Sequence, residues 1–347
     1  MADLLITNFN RNFTGVSSTT ANVLRQQVAR YDLALVGRAL PGCPAPISVA
    51  AARRVSRLTQ KPFAIWHVRR NTEMRAAIWA RDVLRLPIRI VFTSAAQRRH
   101  SALPRWLIAR MDAVIATTEA AARFMGDNLR ATVPHGVDCD LFKPGEHRST
   151  DWARLGYGGV RGVATIGRIR PEKGTDTFVH AMIEALPHLP DVTALVIGKA
   201  APEHQGFLVN LERQIDAAGL KGRILFPGEV TPEELPRLMR ALSLVVQLPR
   251  YEGYGMVPLE GMASGVPFVG SDTGYYRAFS GQGVTGRVVP VENASSAARE
   301  IRDILASSEV QRRMAEAARD TALTHFSVTR EADGINAVYE ALWSEAV

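Results

Sequence analysis

The stretch YEGYGMVPLEGMASG, residues 251–265, holds two carboxylates, Glu252 and Glu260, with seven residues between them in glycine-rich, otherwise apolar sequence. A carboxylate withdrawn from water is costly unless it is paired or hydrogen-bonded, so both acids need partners. The apolar spacing of Met256, Leu259, Met262 and Ala263, with Pro258 in the first turn, predicts a helix. Pro249, Gly253 and Gly255 predict a loop before it. Glu252 then sits in the loop and Glu260 about one turn into the helix. The amides of Gly255, Met256 and Val257 would project from a helix N-terminus, which attracts anions. A phosphate seated there would have one acid on either side. Glu252 could accept hydrogen bonds from sugar hydroxyls and Glu260 from a ribose diol, each charge-assisted bond contributing roughly 1.5–3 kcal/mol. For Glu260, helix capping or a structural ion pair is the plain alternative.

A second stretch, GRIRPEKG at 167–174, directly follows the strand-like GVATIG. Gly167 and Gly174 permit close backbone approach, and Arg168 and Lys173, five residues apart, can straddle a diphosphate. Taken alone, a charged surface turn explains it as well. Other motifs fall away. The chain has no Walker loop and no GxSxG elbow, and its glycine-rich runs stand in the wrong order relative to strands for a dinucleotide fingerprint. Asp138-Cys139-Asp140 spells D-x-D inside a Pro/Gly linker without neighbouring ligands, so no metal is expected there.

These loops need strands to carry them. LLITNF, LALVGR, FAIWHV, RIVFTS and AVIATT are short apolar runs separated by amphipathic stretches, as buried parallel strands alternate with helices. PHGVDCDLFKPG at 134–145 reads as a linker, after which the alternation restarts with GVATIG, TALVIG, ILFPGEV, LSLVVQL and PFVGS. The pattern predicts an α/β chain of two Rossmann-like, doubly wound domains, residues 1–155 and 156–330, facing a central cleft that is the default ligand site. The amphipathic end, residues 331–347, is expected to pack back on the first domain.

The net charge of +8 is unevenly spread: residues 1–150 hold 22 basic and 10 acidic residues, the remainder 20 and 24. An anionic partner for the first half follows, whether lipid surface, phosphorylated acceptor or nucleic acid. The acidic second half and the lack of interleaved aromatics argue against nucleic acid. No apolar run is long enough to span a membrane, and MADLLITNFN lacks the basic start of a secretory signal. Two distant cysteines, Cys43 and Cys139, fit small core residues in a reducing cytoplasm.

In order, GVDxxxFxP (Gly136 to Pro144), GR…KG (167–174) and E-x7-E (252–260) resemble family 4 of the retaining glycosyltransferases, of GT-B architecture. GVPFVGSDTG and GVTGRVV match the family's closing pattern. The first half, with TNFNRNFTGVSSTTANV, IWHVRRNTEM and FTSAAQRRHS, is most similar to bacterial lipopolysaccharide core mannosyltransferases. The resemblance implies that Arg168 and Lys173 hold the leaving diphosphate of a nucleotide sugar. It implies that Glu252 with Gly253, Tyr254, Gly255, Met256 and Val257 holds the donor sugar and phosphates, that Glu260 holds the ribose, and that Gly15 admits the donor. It further implies GDP-mannose as donor, a lipopolysaccharide inner-core acceptor, no metal or other cofactor, and work at the cytoplasmic face of an anionic inner membrane.

One departure concerns a histidine that many relatives carry where this chain has Thr93-Ser94-Ala95. His67 is the candidate substitute, and Arg69, Arg70 and Arg98 with Arg99 are candidate acceptor contacts. Another hexose or nucleotide, or a sugar-nucleotide hydrolase or epimerase on the same scaffold, are the alternatives. A glycoside hydrolase would set its two carboxylates facing each other across a bond, whereas here both point toward a phosphate.

Overall fold

The computed structural model describes residues 2–12 and 14–345. Met1, Phe13, Ala346 and Val347, which fall within the expected domain limits, lie outside the described residues. The chain divides into two units, Met1–Gly136 with Phe326–Val347, and Val137–His325.

The first unit holds strands β1 (Leu4–Asn8), β2 (Leu33–Gly37), β3 (Ala64–Val68), β4 (Ile88–Ser94), β5 (Ala113–Ala116) and β6 (Leu129–Thr132). They form one sheet in the order β2-β1-β3-β4-β5-β6, with parallel pairing throughout. Successive side chains alternate between faces. Leu4, Ile6 and Ile65 pack toward Leu24 of the helix Gly15–Gln27 and Ile335 of the helix Val328–Ser344. Leu5, Trp66 and Val68 pack toward Met74, Ala77 and Leu107 on the other face. Burial on both faces explains why these strands read as continuous apolar runs.

The C-terminal helix belongs to this unit through specific bonds. Gln27 Nε2 donates to Asn336 Oδ1 (2.7 Å), Tyr31 Oη to Glu340 Oε1 (2.9 Å) and Trp343 Nε1 to the Phe63 carbonyl (2.9 Å).

In the second unit β7 (Arg161–Ile166), β8 (Val192–Ile197), β9 (Ile224–Gly228), β10 (Leu244–Gln247), β11 (Phe268–Ser271) and β12 (Gly286–Val289) form a parallel sheet ordered β12-β11-β10-β7-β8-β9. The boundary lies at 136/137 rather than at the expected 155/156, for a packing reason. Trp152, on the helix Arg148–Leu155, is fully buried against Gly162 of β7, where a Cβ would lie 2.0 Å from the indole. Arg148 Nη2 also donates to the Gly265 carbonyl (2.6 Å), so this helix packs with the sheet that follows it. The second boundary, expected at 330/331, lies at 325/326, because Ser327 caps the helix Val328–Ser344 and travels with it.

Candidate active site

Ligands of open parallel sheets bind where the strand order reverses, beyond the carboxyl ends of the strands. In the second unit the order runs outward from β7 through β8 and β9, then restarts on its other side with β10. The loops leaving β7 and β10 are therefore neighbours, and they are the two that the sequence singles out. Gly174 has a left-handed backbone (φ 67°), and a Cβ there would lie 1.7 Å from the Leu248 carbonyl oxygen, so only glycine lets the first loop pass under the second. Arg250 fastens the crossing. Its amide donates to the Glu172 carbonyl (3.0 Å), its guanidinium forks onto Asp176 (3.0 and 2.7 Å) and its Nε reaches Glu292 Oε1 (2.6 Å). The same guanidinium also donates to the Pro171 carbonyl. Burial alone would raise the Asp176 carboxyl, but bonds from Arg250 hold it below its ordinary value.

On that crossing Lys173 Nζ meets Glu252 Oε2 at 2.6 Å, and the Gly253 amide donates to Glu252 Oε1 (2.9 Å). Both side chains keep some exposure, 29% for Lys173 and 22% for Glu252, so the pair remains open to a ligand. Arg168 and Gly167 are exposed at the start of the same loop, and no ion pair of Arg168 is found among the described residues. Gly255 (φ 102°) begins the helix Met256–Ala263 without a side-chain cap, and a Cβ on it would lie 2.0 Å from the Tyr276 ring. No protein acceptor is found for the amides of Met256 and Val257 among the described residues. That helix start can therefore receive an anion. Glu260, the fifth residue of the helix, is partly exposed, and burial pushes its carboxyl up to about 7.

Tyr254, expected among the donor contacts, is turned inward instead. Its ring is 4% exposed, stacks on Tyr275 at 5.4 Å and meets Phe279 edge-on. Its contribution is to anchor the loop from below, its carbonyl accepting from the Tyr275 amide at 2.9 Å.

In the first unit the order reverses between β1 and β3. Glu73, fully buried on the helix Asn71–Ile78, is the hub there. Its carboxylate accepts from Thr7 Oγ1 (3.0 Å), the Phe9 amide (3.1 Å), the Arg69 amide (2.8 Å) and Arg70 Nη1 (3.1 Å). Arg70 continues to Asn8 Oδ1 (3.2 Å), Thr14 Oγ1 (3.2 Å) and Ser17 Oγ (3.0 Å). It thereby holds the first turn of the helix that opens at Gly15. Gly15 itself is exposed, with nothing within 4 Å of where a Cβ would stand. The structure thus brings Gly15 and Arg70 together.

His67 and Arg69 do not join them as open contacts. His67 is 1% exposed, with Nδ1 against the Tyr339 hydroxyl and Nε2 2.7 Å from Thr93 Oγ1. Burial, with Arg69 close by, holds its pKa well below the ordinary imidazole value. It is a satisfied core histidine bonded to Thr93, at the end of β4. Arg69 is 9% exposed, and its Nη1 donates to Thr19 Oγ1 (3.3 Å) among the charges of Glu73 and Glu331. Arg98 is exposed on the loop after β4.

Two residues at these reversals were missed by sequence reasoning. Glu73 looks like an ordinary surface acid of an amphipathic helix; the adjacent Arg69-Arg70 pair is its signal. Arg250 lies directly before the YEGYG loop, and its signal is a charge just past a strand end, as for Lys173. No group of three or more His, Cys, Asp or Glu residues placed to hold a metal is found among the described residues. Asp138, of the D-x-D sequence, spends Oδ1 on the amides of Asp140 and Leu141 (3.1 and 3.0 Å).

The family model described as glycosyl transferases group 1 matches residues 157–321. A lipopolysaccharide core biosynthesis mannosyltransferase, LpcC, of Rhizobium leguminosarum bv. viciae is 39% identical over 345 residues, spanning 98% of this chain and 96% of the relative. The corresponding LpsB of Rhizobium meliloti is 37% identical over 353 residues, spanning 98% and 97%. Among solved structures, HepE of Anabaena in complex with UDP has a TM-score of 0.83 at 19% identity, covering 98% of this chain and all of that one. That likeness speaks for the two-unit fold.

Proposed function

The chain belongs to the glycosyl transferases group 1 family, with the GT-B fold, and from there we propose that it moves mannose from GDP-mannose, with retention, onto a lipopolysaccharide inner-core acceptor. The observation that carries this reading is the Lys173–Glu252 pair, set on the crossing of the β7 and β10 loops beside an uncapped helix start. Cation, carboxylate and free amides together offer partners for the phosphates, hydroxyls and leaving oxygen of a sugar diphosphate.

In this reading the donor diphosphate takes over Lys173 from Glu252, and the freed carboxylate accepts from the sugar hydroxyls. Arg168 closes on the diphosphate from the loop start, and Glu260 accepts from the ribose diol. As the anomeric C–O bond breaks, its electron pair leaves with the β-phosphate. Lys173, Arg168 and the amides of Met256 and Val257 stabilise that growing charge, the role a metal plays elsewhere. The leaving phosphate oxygen accepts the proton of the incoming hydroxyl, which bonds to the anomeric carbon on the same face. Fixed charges and dipoles do most of the work, since they need no reorganisation when the charge appears.

The first unit handles the acceptor around Gly15, Arg70 and Arg98. No helix among the described residues is long and apolar enough to cross a membrane. In the proposed reading the chain meets a membrane-borne core acceptor peripherally, at the cytoplasmic face of the inner membrane.

Incubation of the purified protein with labelled GDP-mannose and truncated core lipopolysaccharide tests the proposal. Label should enter the lipopolysaccharide in an α-linkage. Free mannose released at the same rate without acceptor would replace transfer with hydrolysis, and turnover of a uridine sugar alone would change the donor.

A further inference from the structure

The helix Ala102–Ile108, on the Trp66 face of the first sheet, leaves large apolar side chains uncovered. Leu103 is 56% exposed and Trp106 50%, and Phe124, just past the helix Glu119–Ala122, is 43% exposed. Guanidinium groups surround them. Arg110 lies 3.8 Å over the Trp106 ring, and Arg99, Arg105 and Arg123 line with Phe124 a cavity of about 370 Å³. Asp112 is engaged by Arg81 and Arg89 (2.7 and 2.8 Å), and Asp82, bonded to Arg81 (2.7 Å), also feels the charge of Arg110; Glu119 and Asp127 are the acids that flank Phe124 in sequence. The arrangement recurs just past the end of the neighbouring helix Asn71–Ile78, which packs against Ala102–Ile108: Trp79 is 42% exposed beneath Arg53 at 4.3 Å.

We propose that this face, centred on Leu103, Trp106 and Phe124, is the surface on which the enzyme rests on an anionic bilayer. The proposal deepens the reading of a membrane-borne acceptor and rests on it for its purpose, although vesicle binding itself needs no transfer. Tryptophan and leucine prefer the boundary between headgroups and acyl chains, while a ring of arginines meets lipid phosphates. A nucleic acid suits the patch less well. Arg110 already covers the face of Trp106 that a base would stack on, and aliphatic Leu103 gives a base no stacking surface. The topology gives the surface its use. The loop bearing Arg98 and Arg99 leaves the carboxyl end of β4 and runs directly into Ala102–Ile108. A bilayer contacting this helix would therefore meet the first unit beside the sheet edge that carries Gly15 and Arg70.

Sedimentation of the full chain with phosphatidylcholine vesicles, with and without phosphatidylglycerol, tests the proposal. The native chain should partition onto the anionic vesicles alone. Leu103→Ser with Trp106→Ser should lower that partition at least tenfold. Arg105→Ala with Arg123→Ala should lower it about 25-fold, at roughly fivefold per cation, and added salt should mimic the loss. Both double variants should keep the native melting temperature and native transfer to a detergent-solubilised acceptor. Vesicle binding unchanged by the Leu103/Trp106 pair would overturn the proposal. So would a native dimer, seen by light scattering, that this pair dissociates while vesicle binding persists, or RNA binding lost in its place.

Discussion

Replacing Lys173 by methionine keeps the stem and removes the charge that meets Glu252 at 2.6 Å. Two effects of different size should follow. Because the pair is partly exposed, its loss should cost about 1 kcal/mol of stability, the upper end for a solvent-accessible ion pair. For a unit of this size that is roughly 2–4 °C in melting temperature. The catalytic effect should be much larger. A fixed donor aimed at transition-state charge contributes about 2.7–4 kcal/mol, so kcat should fall roughly 10²–10³-fold at saturating donor. Steady-state transfer with varied donor, alongside thermal melts, separates the two. Lys173→Arg should recover part of the rate. A double-mutant cycle with Glu252→Gln should show the catalytic losses to be less than additive, since each removal disables the same exchange of partners. A Lys173→Met enzyme with kcat within threefold of native and a melt lowered far beyond 4 °C would refute the reasoning, making the pair a strut between loops.

Glu260 offers a pH test. Its folded carboxyl titrates at about 7, above the ordinary 4.5, so the native state binds the extra proton. Its contribution to stability is therefore full below pH ~4.5 and is lost as pH rises through ~7, by about 3 kcal/mol at most. Ribose hydroxyls favour the ionised form, so donor affinity should rise between pH ~6 and ~8; Glu260→Gln should flatten both profiles in calorimetry and melts, and unchanged profiles would remove Glu260 from the ribose site. Arg250→Ala should unfasten the loop crossing, costing about 2 kcal/mol and lowering kcat/KM roughly tenfold to a hundredfold; lysine, with one point of charge for several acceptors, should rescue little. Glu73→Ala should strand Arg70 and the amides of Phe9 and Arg69, costing about 3 kcal/mol and roughly 6–12 °C in melting temperature; a melt within 2 °C of native would show that the hub is dispensable.

Strands buried on both faces announce themselves as apolar runs, so the two sheets were legible in the sequence. β6 (LRAT), with alternating half-exposed positions, and β12 (GRVV), with Arg287 and Val288 half-buried between its two buried ends, gave weaker signals. The loops that carry Lys173 and Glu252, and the helix start ahead of Glu260, were legible because glycine and proline punctuation marks them. Tyr254 was misread because local sequence does not reveal which way a loop ring turns; Tyr275 and Phe279, more than twenty residues on, decide it. His67 was likewise settled by distant hydroxyls, from Tyr339 and Thr93. The domain limit moved because Trp152 has its socket at Gly162, a pairing that linker composition does not encode.

A crystal structure of the protein with bound GDP decides whether the helix start at Met256 is the phosphate site. The β-phosphate should lie at the start of the helix Met256–Ala263, within hydrogen-bonding distance of Lys173 Nζ and the Met256 or Val257 amide, with Glu252 released from Lys173. Nucleotide bound elsewhere, with the Lys173–Glu252 pair still closed at 2.6 Å, would contradict it.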